Sequence, residues 1–173
     1  MVYKVVKQFK KEDDIEKWHP YMNFSGLNQI EAFCSLDGML NYSLFTPDSV
    51  EDWDNCVKED YKIDMITNLA YAKAVAERYP GAHIFGLIID PQQAETPREG
   101  QLLGYDILDY DYAISLLTNC GGFPDLFDNS RINRFGLLDD LAEAYAVRDK
   151  LRVGYANDPH AGACEVIAVF DVG

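Results

Sequence analysis

The sequence predicts an α+β fold, in which a mixed or mostly antiparallel sheet carries helices packed on one side. Three observations support this prediction. Runs rich in β-branched and aromatic residues alternate with segments of helical periodicity, and an Asp-Gly pair lies between two apolar runs. The chain of 173 residues is also long enough to bury one hydrophobic core. We therefore expect residues 1–173 to form a single globular domain.

The amino-terminal quarter of the chain predicts a strand, a short helix and a hairpin. Residues 2–9 are rich in β-branched and aromatic side chains, which is typical of a strand. The acidic residues 11–18 indicate a short helix that stops at Pro20. Asp37-Gly38 lies in the middle of residues 28–45 and predicts a hairpin with a type I′ turn, because that turn needs positive φ at both central residues.

Two helices follow the predicted hairpin. Ser49 and Asp52 have the spacing of a capping box and mark the start of the first helix. Apolar side chains then recur at steps of three or four from Tyr61 to Tyr79, which predicts a longer amphipathic helix. Pro80-Gly81 should end that helix, since neither residue continues a helix well.

The second half of the chain predicts three strands, a loop and a helix. Residues 83–90 form a nearly continuous apolar run, as expected of a buried strand. Residues 91–101 are polar and contain two prolines, which indicates a loop. Residues 102–112 predict a strand antiparallel to 83–90, residues 136–151 a helix, and residues 163–172 a buried final strand.

Charge narrows the choice of partner. The chain has 15 basic and 29 acidic side chains and a formal net charge of −14. Nucleic-acid backbones and anionic membranes attract cationic surfaces, so we expect neither as a partner. An acidic surface complements a basic protein. We therefore expect a basic protein partner, and a homo-oligomer is also compatible with the composition.

The sequence lacks the signals of secretion, metal binding and common cofactors. No secretory signal or apolar segment of membrane-spanning length is present, and the four cysteines form no CxxC, which favours reduced thiols and a cytoplasmic location. His19, His83 and His160 are isolated from one another, which argues against a metal site. Glycine-rich nucleotide-binding motifs are absent, so no cofactor is expected.

Two clusters of acidic and aromatic residues are candidates for protein binding. In the first, Trp53 lies among Asp52, Asp54, Glu59 and Asp60, and the tryptophan could anchor a basic surface. The second contains Asp109, Tyr110 and Asp111, with the two carboxylates expected on one face of a strand.

These clusters lead to the principal functional prediction, a protein-binding module without enzymatic activity. In size, acidity and fold class the chain is similar to immunity proteins, which neutralise basic toxins, and to other inhibitors of that kind. This similarity implies a role in binding a basic protein.

The alternative prediction is a cysteine-dependent hydrolase. Cys120 lies in the segment Asn-Cys-Gly-Gly-Phe, a turn-forming sequence that could present a thiol. His160 could activate this thiol and Asp158 could assist, since a catalytic cysteine needs a neighbouring base. A third possibility, a glycoside-cleaving enzyme, depends on Asp109 and Asp111 as paired carboxylates.

Overall fold

A computed structural model describes residues 1–8, 29–32, 34–36, 41–59, 62, 64–93, 99–109, 111, 114–118 and 128–173. Its strands are β1 (Val2–Lys7), β2 (Ala82–Ile89), β3 (Gln101–Leu108) and β4 (Glu165–Asp171). Its helices are α1 (Val50–Asp54), α2 (Leu69–Ala76) and α3 (Leu141–Gly154). The four strands form one antiparallel sheet in the order β1-β2-β4-β3.

Both longer helices pack against the same face of the sheet. The register pairs Val5 with Ile84 and Gly86 with Phe170, and side chains two residues apart on a strand share a face. Helix α2 packs against Val5 and Ile84, whereas α3 packs in a cluster that contains Phe170. The α+β class, the antiparallel sheet and the one-sided placement of the helices are therefore confirmed.

The opposite face of the sheet is covered by irregular chain. Phe85 and Val169 are buried there, in a cluster with side chains from segments that have no regular secondary structure. Backbone N–H groups in such segments need partners outside a ladder. The N–H of Cys34 donates to the carbonyl oxygen of Phe135 at 2.9 Å, for example. This side of the core thus depends on hydrogen bonds between loops.

The orientation predicted for the third strand is wrong. Residues 102–112 are predicted to run antiparallel to 83–90, but β4 lies between β2 and β3 and is antiparallel to both, so β3 runs parallel to β2. Every interior residue of β4 is apolar and buried. A strand that is apolar on both faces removes the most apolar surface from water when it lies in the centre of a sheet, which favours β4 over β3 at that position. In addition, β3 ends at Leu108 rather than at residue 112.

Helix α1 begins as predicted, but the other two helices begin later than expected. Asn68 caps α2 by accepting the N–H of Ala70 at 2.9 Å. The residues before this cap cannot extend the helix, because Ile66 exchanges two backbone hydrogen bonds of 2.8 Å with Tyr3. Asp140 caps α3 at its start. In the described ranges, no helix has both the length and the apolar character needed to cross a bilayer.

The hairpin predicted over residues 28–45 is not found in the described part of that range. Its turn, Asp37-Gly38, lies outside the described residues, as does the short helix predicted over 11–18. The described residues on either side of the turn form no strand. A side-chain bond joins them, from Asn41 to the carbonyl oxygen of Ser35 at 2.7 Å, but backbone bonds tie the two sides to different segments. Cys34 bonds to residue 135, whereas the N–H of Leu44 donates to the carbonyl oxygen of Val5 at 2.8 Å.

Gly104 allows a loop to lie against the outer edge of β3. Its φ is 147°, at a register irregularity in the pairing of β3 with β4. A Cβ atom here would lie 2.7 Å from the carbonyl oxygen of Leu138. Tyr105 and Leu138 exchange backbone hydrogen bonds of 2.8 and 3.0 Å, which protects the edge strand from pairing with another chain.

Gly104→Ala should therefore lower the free energy of unfolding, by about 2–3 kcal/mol, because the new methyl group meets backbone and the φ is unfavourable. Gly154→Ala is the matched control, since nothing lies within 4 Å of its added Cβ at the end of α3. This control should raise stability by about 0.4–1 kcal/mol. Urea denaturation measures both changes. Equal effects of the two substitutions would contradict the close approach at Gly104.

Candidate functional site

The first predicted binding cluster surrounds α1. Trp53 is 44% exposed and Val50, three residues earlier, is 81% exposed. Residues three or four apart are neighbours on a helix surface, so these two side chains form a small apolar patch. The exposed carboxylates of Glu51 and Asp54 flank the patch. We refer to Val50, Glu51, Trp53 and Asp54 as the acidic α1 surface.

Asp52 differs from its neighbours because its side chain points inward. The residue is only 4% exposed. Its carboxylate accepts hydrogen bonds from the hydroxyl of Tyr71 and, at 2.7 Å, from that of Ser49. These bonds, the one from Tyr71 above all, hold the pKa of Asp52 below its ordinary value. Asp52 thus links α1 to α2 and does not belong to the exposed surface.

Lysine side chains pair with two of the other predicted members of this cluster, Asp54 and Glu59. The ammonium of Lys62 donates to Glu59 at 2.6 Å, and that of Lys58 donates to Asp54 at 3.4 Å. The Lys58–Asp54 pair is exposed on both sides, where solvent makes such interactions weak. Asp60 lies outside the described residues.

The second predicted cluster does not form an exposed pair of carboxylates on a strand. Because β3 ends at Leu108, strand alternation does not extend to Asp109 and Asp111. Asp109 is only 1% exposed. Asp111 lies in a turn, half-buried, and its Oδ1 has no hydrogen-bond partner among the described residues. Tyr110 lies outside the described residues.

Asp109 instead binds His160. Its Oδ2 lies 2.8 Å from the Nδ1 atom of His160, and its Oδ1 accepts the N–H of Ile114 at 3.0 Å. With both oxygens engaged, Asp109 is not placed to act as a free acid or base in glycoside cleavage. The histidine side chain is 41% exposed, and no hydrogen bond engages its Nε2 within the described part of the chain. We refer to Asp109 and His160 as the dyad.

A tight backbone pairing fixes Asp109. Asp109 donates its N–H to the carbonyl oxygen of Ile114 at 3.0 Å, and Leu116 donates to that of Ile107 at 2.8 Å. Residues 114–116 therefore run antiparallel to 107–109 and continue the hydrogen bonding beyond the end of β3. This pairing orients the carboxylate toward His160.

The backbone around His160 is fixed by Asp158, which has a different role from the one predicted. Asp158 Oδ1 accepts the N–H groups of His160 and Ala161 at 2.8 and 2.9 Å. These backbone bonds hold the pKa of Asp158 below its ordinary value. Asp158 therefore shapes the turn that carries His160, while Asp109 is the carboxylate in contact with its ring.

A fully buried carboxylate, which the sequence analysis did not identify as functional, lies nearby on β3. Asp106 accepts the hydroxyl of Ser115 at 2.6 Å and the N–H of Leu36 at 2.9 Å. Burial raises the pKa of Asp106 to about 6, against the lowering effect of these bonds. The sequence signal was a charged residue between Tyr105 and Ile107 in an otherwise apolar strand.

The same network fixes the chain just before Cys120. The hydroxyls of Ser35 and Thr118 are 3.0 Å apart and buried, and the N–H of Thr118 donates to the hydroxyl of Ser115 at 3.3 Å. Residues 114–118 are thus held by the Asp106 network and by the pairing with Asp109. Cys120 itself lies outside the described residues.

The described cysteines are not activated thiols. Cys34, Cys56 and Cys164 are free and buried. Burial raises the pKa of all three, that of Cys34 to about 12. Among the residues that the structure describes, no group of three or more side chains is placed to hold a metal ion.

Comparisons with known proteins leave these contacts as the basis for any functional argument. No family model, curated protein or solved structure matches the chain. The acidic α1 surface and the dyad are therefore interpreted from their own chemistry.

Asp106 should make stability depend on pH. The Asp106 carboxyl ionises near pH 4 in the unfolded protein but near 6 in the folded protein. Its contribution to the free energy of unfolding is therefore fully present below about pH 4 and is lost as the pH rises through about 6. Two pKa units correspond to roughly 3 kcal/mol.

Asp106→Asn should therefore destabilise the protein by roughly 2–3 kcal/mol more at about pH 4 than at about pH 7. Urea denaturation at both pH values tests this. Asp54→Asn, at an exposed carboxylate, is the control, and it should change the free energy of unfolding by about the same amount at the two pH values. An Asp106→Asn penalty that does not change with pH would contradict the assignment.

Proposed function

We propose that this protein binds a basic protein partner through the acidic α1 surface, as an immunity protein or inhibitor would. The observation that carries the proposal is the exposed pair of Val50 and Trp53, flanked by Glu51 and Asp54. Tryptophan is over-represented among residues that dominate binding energy, particularly when surrounding groups exclude water from it. The carboxylates would form the polar rim of such a contact.

Charge supports a basic partner over a neutral one. The chain has a formal net charge of −14, and carboxylates around a contact raise the rate of encounter with a cationic surface. Such rim charges act over a distance that salt shortens, to about 10 Å at 0.1 M. Binding should therefore weaken as salt increases, mainly through slower association.

An aliphatic photoreactive amino acid in place of Val50, which keeps Trp53 and an apolar side chain beside it, can identify the partner by cross-linking in an extract of the source cells. Capture alone does not support the proposal, and the purified partner must then be titrated with the wild-type chain. We expect a partner of basic isoelectric point, and Trp53→Ala should weaken its affinity roughly 10-fold or more.

Paired charge variants test the electrostatic part of the proposal. Glu51→Gln with Asp54→Asn should slow association and reduce its salt dependence. Glu99→Gln with Asp149→Asn makes the same change in net charge at other exposed positions, and should have a smaller effect. Equal effects of the two pairs, or an affinity insensitive to Trp53→Ala, would reject this surface as the contact.

A second candidate function is a cysteine-dependent hydrolase in which Cys120 is the nucleophile and His160 the base. The contact between His160 and Asp109 favours it, because catalytic histidines are commonly oriented by a buried carboxylate. The anchoring of residues 114–118 also supports it, since this segment leads directly to Cys120.

Thiol reactivity tests this second function. If His160 activates Cys120, iodoacetamide should alkylate that thiol in the native protein at about pH 6.5, where a free cysteine reacts slowly. Peptide mass mapping locates the label. Cys34 and Cys164 are internal controls and should stay unlabelled, because both are buried. Labelling of Cys120 only after denaturation would exclude the cysteine mechanism.

A further inference from the structure

We propose that Asp109 and His160 form an acid–base dyad that hydrolyses uncharged or cationic esters, with Nε2 of His160 as the proton acceptor and Asp109 as a positioning residue. This inference shares the histidine base with the second candidate function, but it stands without Cys120 as the nucleophile. The contact that carries it joins a buried carboxylate to a half-exposed imidazole at 2.8 Å.

The hydrogen bond selects one tautomer of the neutral ring. Because Asp109 Oδ2 can only accept, the proton of neutral His160 lies on Nδ1. The lone pair then lies on Nε2, the nitrogen without a partner in the described part of the chain. A ring held in this way needs no reorientation before it accepts a proton.

The second histidine–aspartate pair of the described chain lacks this arrangement and serves as a reference. Asp171 contacts His83 through Nε2, at 3.2 Å, and the histidine side chain is only 21% exposed. His83 also packs against the ring of Phe85, with centroids 4.7 Å apart. The carboxylate therefore covers the nitrogen that is open in His160.

The proposed reaction consumes one water molecule for each ester. Nε2 of His160 takes a proton from the attacking group, which is either water or the Cys120 thiol, as that group bonds to the acyl carbon. The imidazolium then returns the proton to the leaving alcohol as the ester C–O bond breaks. If Cys120 attacks, the one water hydrolyses the resulting thioester: Nε2 takes a proton from this water as its oxygen bonds to the acyl carbon, and returns that proton to the departing Cys120 thiolate. The products are a carboxylic acid and an alcohol in either case.

Charge sets the substrate class. Two carboxylate side chains form hydrogen bonds with His160, Asp109 at the ring and Asp158 at the backbone. The chain as a whole has a formal net charge of −14. An anionic acyl compound would approach against this field, whereas an uncharged or cationic one would not.

The test uses the full chain and three probes with the same leaving group: p-nitrophenyl acetate, the cationic p-nitrophenyl ester of 4-(trimethylammonio)butyric acid and the anionic mono-p-nitrophenyl ester of adipic acid, each corrected for its rate without protein. We expect turnover of the first two to exceed that of the third. His160→Gln should lower kcat/KM roughly 10²–10⁴-fold. Asp109→Asn keeps an oxygen for the N–H of Ile114, but its amide can donate to Nδ1 and favour the opposite tautomer, so a loss of similar size is expected.

Control variants separate the dyad from its alternatives. His83→Gln and Asp171→Asn should leave turnover within about twofold of wild type, because Asp171 pairs with Gln101 at the start of β3, whereas the dyad lies beyond the other end of that strand. Loss of activity in Cys120→Ser supports both the dyad and the cysteine hydrolase. Activity that persists in Cys120→Ser but falls in His160→Gln rejects the cysteine hydrolase and leaves the dyad standing. Turnover that is absent with all probes, or unchanged in His160→Gln, overturns the dyad.

A measurement on the wild-type chain avoids dependence on the folding of any variant. Two-bond proton–nitrogen spectra at about pH 8.5, where free imidazole is neutral, distinguish the tautomers. We expect Nδ1 of His160 to be protonated and Nε2 to be bare. A proton on Nε2 would overturn the assignment of that atom as proton acceptor.

Discussion

The carboxylate of Asp106 lets an irregular segment cover the second face of the sheet. Helices satisfy their own backbone groups, and they cover only one face here. On the other face, the N–H of Leu36 is buried away from any ladder and donates to Asp106, which also accepts from Ser115. An unpaired buried N–H would be costly, so a buried carboxylate is tolerated at this point. The raised pKa of Asp106 shows the cost of burying this carboxylate, which its hydrogen bonds offset only in part.

The end of β3 consequently carries two carboxylates with different tasks. Asp106 lies within β3, whereas Asp109 lies just past its last residue, Leu108, where the backbone pairs with Ile114. The first holds loop backbone within the core, whereas the second contacts a partly exposed histidine. Both depend on the antiparallel pairing of Ile114 and Ser115 with the end of β3. One short pairing therefore positions the buried network and the dyad together.

The class of the fold could be predicted from the sequence because it depends on local patterns. Apolar runs and capping residues such as Ser49 act over a few positions. They indicated the four strands and three helices of the described chain, together with a hairpin over residues 28–45 that is not found there. Pairing β3 with β4 depends on contacts between distant residues, which periodicity does not encode. The link from His160 to Asp109 spans 51 positions. Asp158 was the nearer acid in sequence, but its oxygen binds backbone N–H groups instead.

The two proposed functions use opposite edges of the sheet. The acidic α1 surface is joined to the β1 edge, through the bridges of Cys56 to Ile66 and of Ile66 to Tyr3. The dyad lies where β3, the other edge strand, ends. No hydrogen bond or ion pair in the described ranges joins the two sites directly. Substitutions at sites without shared partners usually act additively, so a partner bound at α1 need not block the histidine. Binding and hydrolysis are thus compatible in one chain, and either could be lost without the other.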